Sequence, residues 1–79
     1  MNKGKLLRKI ASGSNDIKFS EFVTLLKACG FTLDRVSGSH HIFKHPAVTE
    51  IINIQNCNGQ VKPYQIRQFL KLIERYGIS

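Results

Sequence analysis

Carboxylates are scarce in this chain of 79 residues: five Asp+Glu stand against 12 Lys+Arg. That leaves any metal ion short of oxygen ligands. Thiols are as sparse, since only Cys29 and Cys57 occur and neither belongs to a CxxC pair. A disulfide framework is thereby excluded, and the usage suits a reducing, cytoplasmic location. No apolar run approaches the roughly 18 residues of a membrane span, so no membrane partner is expected. Residues 1–14 are basic and amphipathic, faintly like an organelle transit peptide. They lack a signal peptide's continuous apolar stretch and read as a helix of the mature protein. The chain has no internal repeat and no low-complexity segment.

What is present is positive charge on a small frame. The balance is 12 − 5 = +7, with a sequence pI near 9.9. A compact domain with a pI above about 9 carries the electrostatic footprint of a nucleic-acid binder. The alternative is a basic protein that meets an acidic protein partner. A chain this short makes one domain, residues 1–79, with a modest core and no room for a deep cofactor cavity.

Apolar periodicity supplies the elements. Leu6, Leu7, Ile10 and Ala11 recur at helical spacing among Lys3, Lys5, Arg8 and Lys9, giving a short basic helix. Gly13-Ser14-Asn15-Asp16 breaks it. Ser20 is a plausible N-cap for a second helix, with Phe22, Leu25, Leu26 and Cys29 on its buried face and Gly30 as a left-handed cap. Three strands are expected next. In 31–36, Phe31 and Leu33 alternate with Thr32 and Asp34; 40–45 follows a tight turn at Gly38-Ser39 and stops at Pro46. The third, 50–55, points Ile52 and Ile54 inward and Asn53 and Gln55 outward. Asn58-Gly59 marks a turn, and Pro63 opens a last helix with a stripe of Ile66, Phe69, Leu70 and Ile73 that ends near Gly77. The result is an α+β fold, a small antiparallel three-stranded sheet with both main helices on one face. The other face is left free for a ligand.

The segment Gly38-Ser39-His40-His41-Ile42-Phe43-Lys44-His45-Pro46 concentrates the chemistry, with three imidazoles, a lysine and a flexible turn. Histidine takes and gives protons near neutrality, with an unperturbed pKa of roughly 6.5. Adjacent strand residues point to opposite faces, so His40 and His41 cannot both serve one phosphate. Periodicity leaves both open, because Ile42 shares a face with His40 and Phe43 with His41. Zinc is not expected: His41 and His45 would lie about 13 Å apart in a strand, and no carboxylate or thiolate completes a set. Arg67, Lys71 and Arg75 form a row on the last helix that, with Arg35 and Lys44, offers a phosphate track. Tyr64 and Tyr76 could stack on bases, although Tyr76 reads better as packing at the helix end.

This module, with Gly30-Phe31, Leu33, Arg35, the Gly-Ser-His stretch and a closing helix ending in Gly77-Ile78, resembles the HicA family of bacterial toxin ribonucleases. The resemblance spans 20–79 and leaves 1–19 as an N-terminal helical extension. Where many members end the third strand in Pro-x-His, this chain reads Asn53-Ile54-Gln55. The resemblance implies a fold like the double-stranded-RNA-binding domain and a toxin that cleaves mRNA without metal or cofactor. It further implies His40 as the catalytic histidine, with His41 second, and inhibition by a HicB-type antitoxin covering the histidine strand. Gly38, Ser39, Arg35, Lys44, Arg67 and Lys71 are the expected RNA-binding residues. A non-catalytic RNA-binding module on the same sheet is the competing reading, and a protein-interaction domain is a third.

Overall fold

The computed structural model describes residues 3–11 and 17–78. Gly13, Ser14, Asn15 and Asp16, the expected break after the first helix, lie outside them. The described elements are α1 (Lys3–Ala11), α2 (Phe19–Ala28), β1 (Thr32–Ser37), β2 (His40–His45), β3 (Val48–Gln55) and α3 (Pro63–Tyr76). The strands form an open antiparallel sheet in the order β1-β2-β3.

One face of the sheet carries the core. Phe43, Ile52 and Ile54 meet Phe22, Leu25 and Leu26 of α2 and Ile66, Phe69 and Leu72 of α3. Rings of Phe22 and Phe69 meet edge to face at 5.2 Å, an arrangement aromatic pairs favour. The stripe of α3 therefore runs through Leu72, while Leu70 and Ile73 are only partly buried. Cys29 is buried with this group, as its helical position suggests. Ile10 of α1 is buried there too, so the first helix is part of the same core rather than an appendage.

The helix ends show how local chemistry sets the boundaries. α2 begins one residue before Ser20, with Lys18 at the N-cap. The cap is completed from inside the helix: Glu21 Oε1 accepts the Lys18 N–H at 3.1 Å. A carboxylate at the third helical position satisfies an end donor and complements the helix dipole, which is why Ser20 is not needed as the cap. At the other end, the Phe31 N–H donates to Leu26 O and the Gly30 N–H to Lys27 O, both at 3.0 Å. This paired closure needs a left-handed residue, and Gly30 has φ +93°. Residues 17–19 are then laced to 59–61 by Phe19 N–H to Gly59 O at 2.8 Å and Val61 N–H to Ile17 O at 3.2 Å.

β1 departs from the expected alternation. Phe31 precedes the strand and is buried, but Leu33 is 45% exposed and Val36 51% exposed. The cause is coverage. The helices sit over β2 and β3 and stop short of this edge strand, so its inward-pointing side chains have no partner layer. The pairing also slips between Leu33, opposite Phe43, and Arg35, opposite Ile42. Asp34 is the extra residue of that bulge.

α3 is fastened to β3 at both of its ends. The Gln65 amide, 3% exposed, accepts the Gln55 N–H at 3.3 Å and donates to Asn53 O at 3.2 Å. It thus fills the outward hydrogen-bonding edge of β3 as another strand would. At the C-terminal end of α3, Arg75 pairs with Glu50 at 2.9 Å and the Tyr76 hydroxyl donates to the same carboxylate. The Tyr76 bond is the largest influence holding Glu50 below its ordinary range.

Candidate functional site

Cross-strand partners share a face, and the register therefore sorts the central segment. His41, Phe43 and the core residues Ile54 and Ile52 point to the helices. His40, Ile42 and Lys44 point the other way, onto the uncovered face, where Asn53 of β3 and Arg35 of β1 stand opposite Ile42. The alternative that periodicity left open is thus resolved geometrically: His40 is exposed on the open face and His41 is half-buried beneath α2.

The three imidazoles go to three different environments. His41 lies against Phe19, ring centroids 4.7 Å apart, with Nδ1 3.3 Å from Ser39 O. His45 packs on Phe31 at 4.9 Å and its Nδ1 accepts the Ala47 N–H at 3.0 Å, bracing the Pro46-Ala47 turn. His40 alone faces solvent on the open side, its Nδ1 3.1 Å from Asn53 Oδ1. Among the described residues, no three His, Cys, Asp or Glu side chains converge to hold a metal ion.

The turn that introduces His40 follows from Gly38-Ser39. Ser37 and His40 pair directly, so the loop has two residues, and Gly38 takes φ +61°. A glycine leading a two-residue hairpin matches the right-handed twist of the strands. The turn is tied onward to β3: Asn56 N–H donates to Ser39 O at 3.0 Å, and Gln55 Nε2 reaches Ser39 Oγ at 3.4 Å. His40 thus sits on backbone held from both sides.

Cations flank it. Lys44 is four residues along the same face, about 13 Å from His40 at roughly 3.3 Å per residue. The bulge turns Asp34 and Arg35 together onto this face, and Asp34 pairs with both Lys44, at 3.2 Å, and Arg35, at 3.6 Å. These pairs are solvent-exposed and worth little, so an incoming phosphate can displace Asp34 from either cation. Arg67 and Lys71 are exposed on α3, in the helical layer, and are not brought onto the face that carries His40. Arg75 is occupied by Glu50. Tyr76 is packed at the helix end as expected, whereas Tyr64 is 53% exposed.

Asn53, Gln55 and Asp34 stand on this face and were not singled out by sequence reasoning. Asn53 was legible only as an outward polar position of β3. Asp34 lost its alternation to a bulge that no residue type announces.

The model of the HicA toxin of bacterial toxin–antitoxin systems matches residues 19–74. Neither the curated proteins nor the solved structures provide a match. Among the described residues no helix is long and apolar enough to cross a membrane.

Proposed function

Because the chain belongs to the HicA toxin family of bacterial toxin–antitoxin systems, we propose that its toxic act is cleavage of mRNA on the open face of the sheet, with His40 as general acid or base. Family membership makes it the toxin of such a pair and implies an antitoxin partner. The finer assignments, an RNA substrate, a histidine catalyst and a HicB-type inhibitor lying over β2, are our reading of the site.

The observation that carries it is the isolation of His40. It is the one imidazole on the uncovered face, held through Nδ1 with Nε2 free, and flanked by Lys44 and Arg35. RNA carries its own nucleophile. When a base takes the 2′-hydroxyl proton, the 2′-oxygen bonds to phosphorus, the bond from phosphorus to the 5′-oxygen breaks, and that oxygen takes up a proton. The product end is a 2′,3′-cyclic phosphate, and no metal ion is required. A placed acid or base supplies about 10² to 10⁴-fold. Arg35 and Lys44 neutralise phosphate charge and fix the strand's register. At about 13 Å of strand from His40, the Lys44 backbone suits a neighbouring phosphate better than the scissile one.

His40→Ala tests this. The variant should fold and still bind RNA, since the lysines and arginines supply most of the affinity. It should lose cleavage, and growth inhibition on expression, by about 10² to 10⁴-fold. The parent should cut in excess EDTA and should leave fully 2′-O-methylated RNA intact. A folded His40→Ala protein cutting at the parental rate rejects the assignment. Loss in His41→Ala instead would move the chemistry beneath α2. RNA binding with no cleavage by the parent would leave the binding module.

A further inference from the structure

We propose that Asn53 is a positioning residue for His40: its side-chain oxygen holds the imidazole as the Nδ1–H tautomer and so leaves the Nε2 lone pair to act as the base. This rests on the reading of His40 as the catalytic group and goes further, by naming the atom that takes the proton and the residue that selects it.

The argument starts from an asymmetry in the imidazole. A neutral histidine has one N–H and one lone pair, and the partner of one nitrogen decides the character of the other. His40 Nδ1 lies 3.1 Å from Asn53 Oδ1, a carbonyl oxygen that can only accept. The proton therefore belongs on Nδ1, and Nε2 is left as an acceptor facing solvent. His45 provides the contrast within the same strand. Its Nδ1 accepts the Ala47 N–H at 3.0 Å, so its proton belongs on Nε2. His41, whose Nδ1 lies 3.3 Å from the Ser39 carbonyl, takes the same Nδ1–H form as His40 but is half-buried against Phe19. Of the strand's three histidines, only His40 therefore presents an Nε2 lone pair on the open face.

Asn53 is itself held. Its backbone carbonyl accepts from the buried Gln65 amide at 3.2 Å, and Gln65 also takes the Gln55 N–H at 3.3 Å. Gln55 in turn reaches Ser39 Oγ at 3.4 Å, beside the turn that delivers His40. The amide of α3 therefore fixes the stretch of β3 from which Asn53 projects, and a catalytic side chain on rigid elements keeps its geometry. In the reaction, the 2′-hydroxyl proton passes to Nε2 as the 2′-oxygen forms its bond to phosphorus. The imidazolium then has both nitrogens protonated, with Nδ1–H still donating to Asn53. The leaving 5′-oxygen takes its proton from water.

Among the described residues, the charged groups facing His40 on the open side are Lys44 from its own strand and Asp34 and Arg35 from β1. β3 contributes only uncharged Asn53 and Gln55 there. A carboxylate introduced at position 53 would therefore be the nearest anion to the imidazole, and it favours the charged ring.

The test separates the two readings. Nitrogen-15 NMR of the full-length protein, with His40→Ala used to identify the signals, should show neutral His40 as the Nδ1–H tautomer. Asn53→Ala should lose that preference, with the remaining spectrum unchanged. In cleavage assays on a model RNA, Asn53→Ala should lower kcat by about 10² -fold or less with little change in KM, as loss of alignment does. Asn53→Asp should keep the Nδ1–H tautomer, retain more activity than Asn53→Ala, and move the acid limb of its pH profile upward. A neutral His40 found mainly as the Nε2–H tautomer in the parent overturns the positioning role even if His40→Ala is inactive. An unaltered tautomer and pH profile in Asn53→Ala overturns it as well. An active His40→Ala protein rejects the catalytic assignment beneath it, whatever the tautomer.

Discussion

At the scale of single residues, the same side-chain type does three jobs within six positions. His40 is exposed and hydrogen-bonded to Asn53, His41 is wedged under Phe19, and His45 sits on Phe31 with its Nδ1 tied to a turn. His45 also crowds Gly30. A Cβ there would lie 2.9 Å from His45 Nε2, and the backbone is at φ +93°. Gly30→Ala should cost about 1–3 kcal/mol from the backbone conformation alone, with the ring contact adding to it. Urea unfolding midpoints measure it. Adding His45→Ala should recover only the contact part, because the φ strain persists. A Gly30→Ala protein as stable as the parent would show that neither constraint operates.

At the scale of elements, two carboxylates fasten helices and both are held below the ordinary 4.5. For Glu21 the main cause is the Lys18 N–H at the start of α2, opposed by partial desolvation and assisted by Lys9. For Glu50 it is the Tyr76 hydroxyl, with desolvation opposing and Arg75 contributing. A carboxyl whose folded value is depressed stabilises the fold above its unfolded value. That contribution is lost as pH falls through the folded value. The melting temperature should therefore hold from neutrality down to about pH 5 as far as these groups decide it, then drop from near 4.5 downward. Glu21→Gln with Glu50→Gln should lower the melting temperature at pH 7 and flatten the acid decline. Equal acid declines in parent and variant would place the acid sensitivity elsewhere.

At the scale of the whole molecule, the +7 charge dominates. It is distributed over both layers, with Arg35 and Lys44 on the open face and Arg67 and Lys71 on α3. RNA binding should weaken steeply with salt, by a log–log slope of about −0.7 per phosphate contact on single strands. Since α3 lies in the layer away from His40, Arg67→Glu with Lys71→Glu should reduce affinity for all sequences alike and leave the cleavage step of bound RNA unchanged. Filter binding across a salt series and single-turnover cleavage at saturating protein separate the two effects. A flat salt dependence would contradict the polyanion reading. A lost cleavage step in the α3 variant would mean that the RNA wraps from one layer to the other.

The order of elements, the turns and the inward faces of α2 and β3 were legible in the chain because each depends on nearest neighbours in sequence. Helical spacing brings Phe22, Leu25 and Leu26 together, Gly30 and Gly38 meet φ demands of their own backbone, and Pro46 and Pro63 withhold a donor where an element ends or begins. The abundance of lysine and arginine was equally plain, since net charge needs no geometry. Other features came only from tertiary structure, because they depend on what lies opposite. Whether His40 or His41 faces out was decided by where α2 comes to rest on the sheet. The exposure of Leu33 and Val36 came from helices that stop short of β1, and the placement of Asp34 came from a one-residue slip against β2. Asn53 and Gln65 acquired their partners only when β3 paired with β2 and α3 closed its far edge, contacts between residues 13 and 12 positions apart. Patterning read along one strand carries no information about such cross-strand and helix-to-strand hydrogen bonds.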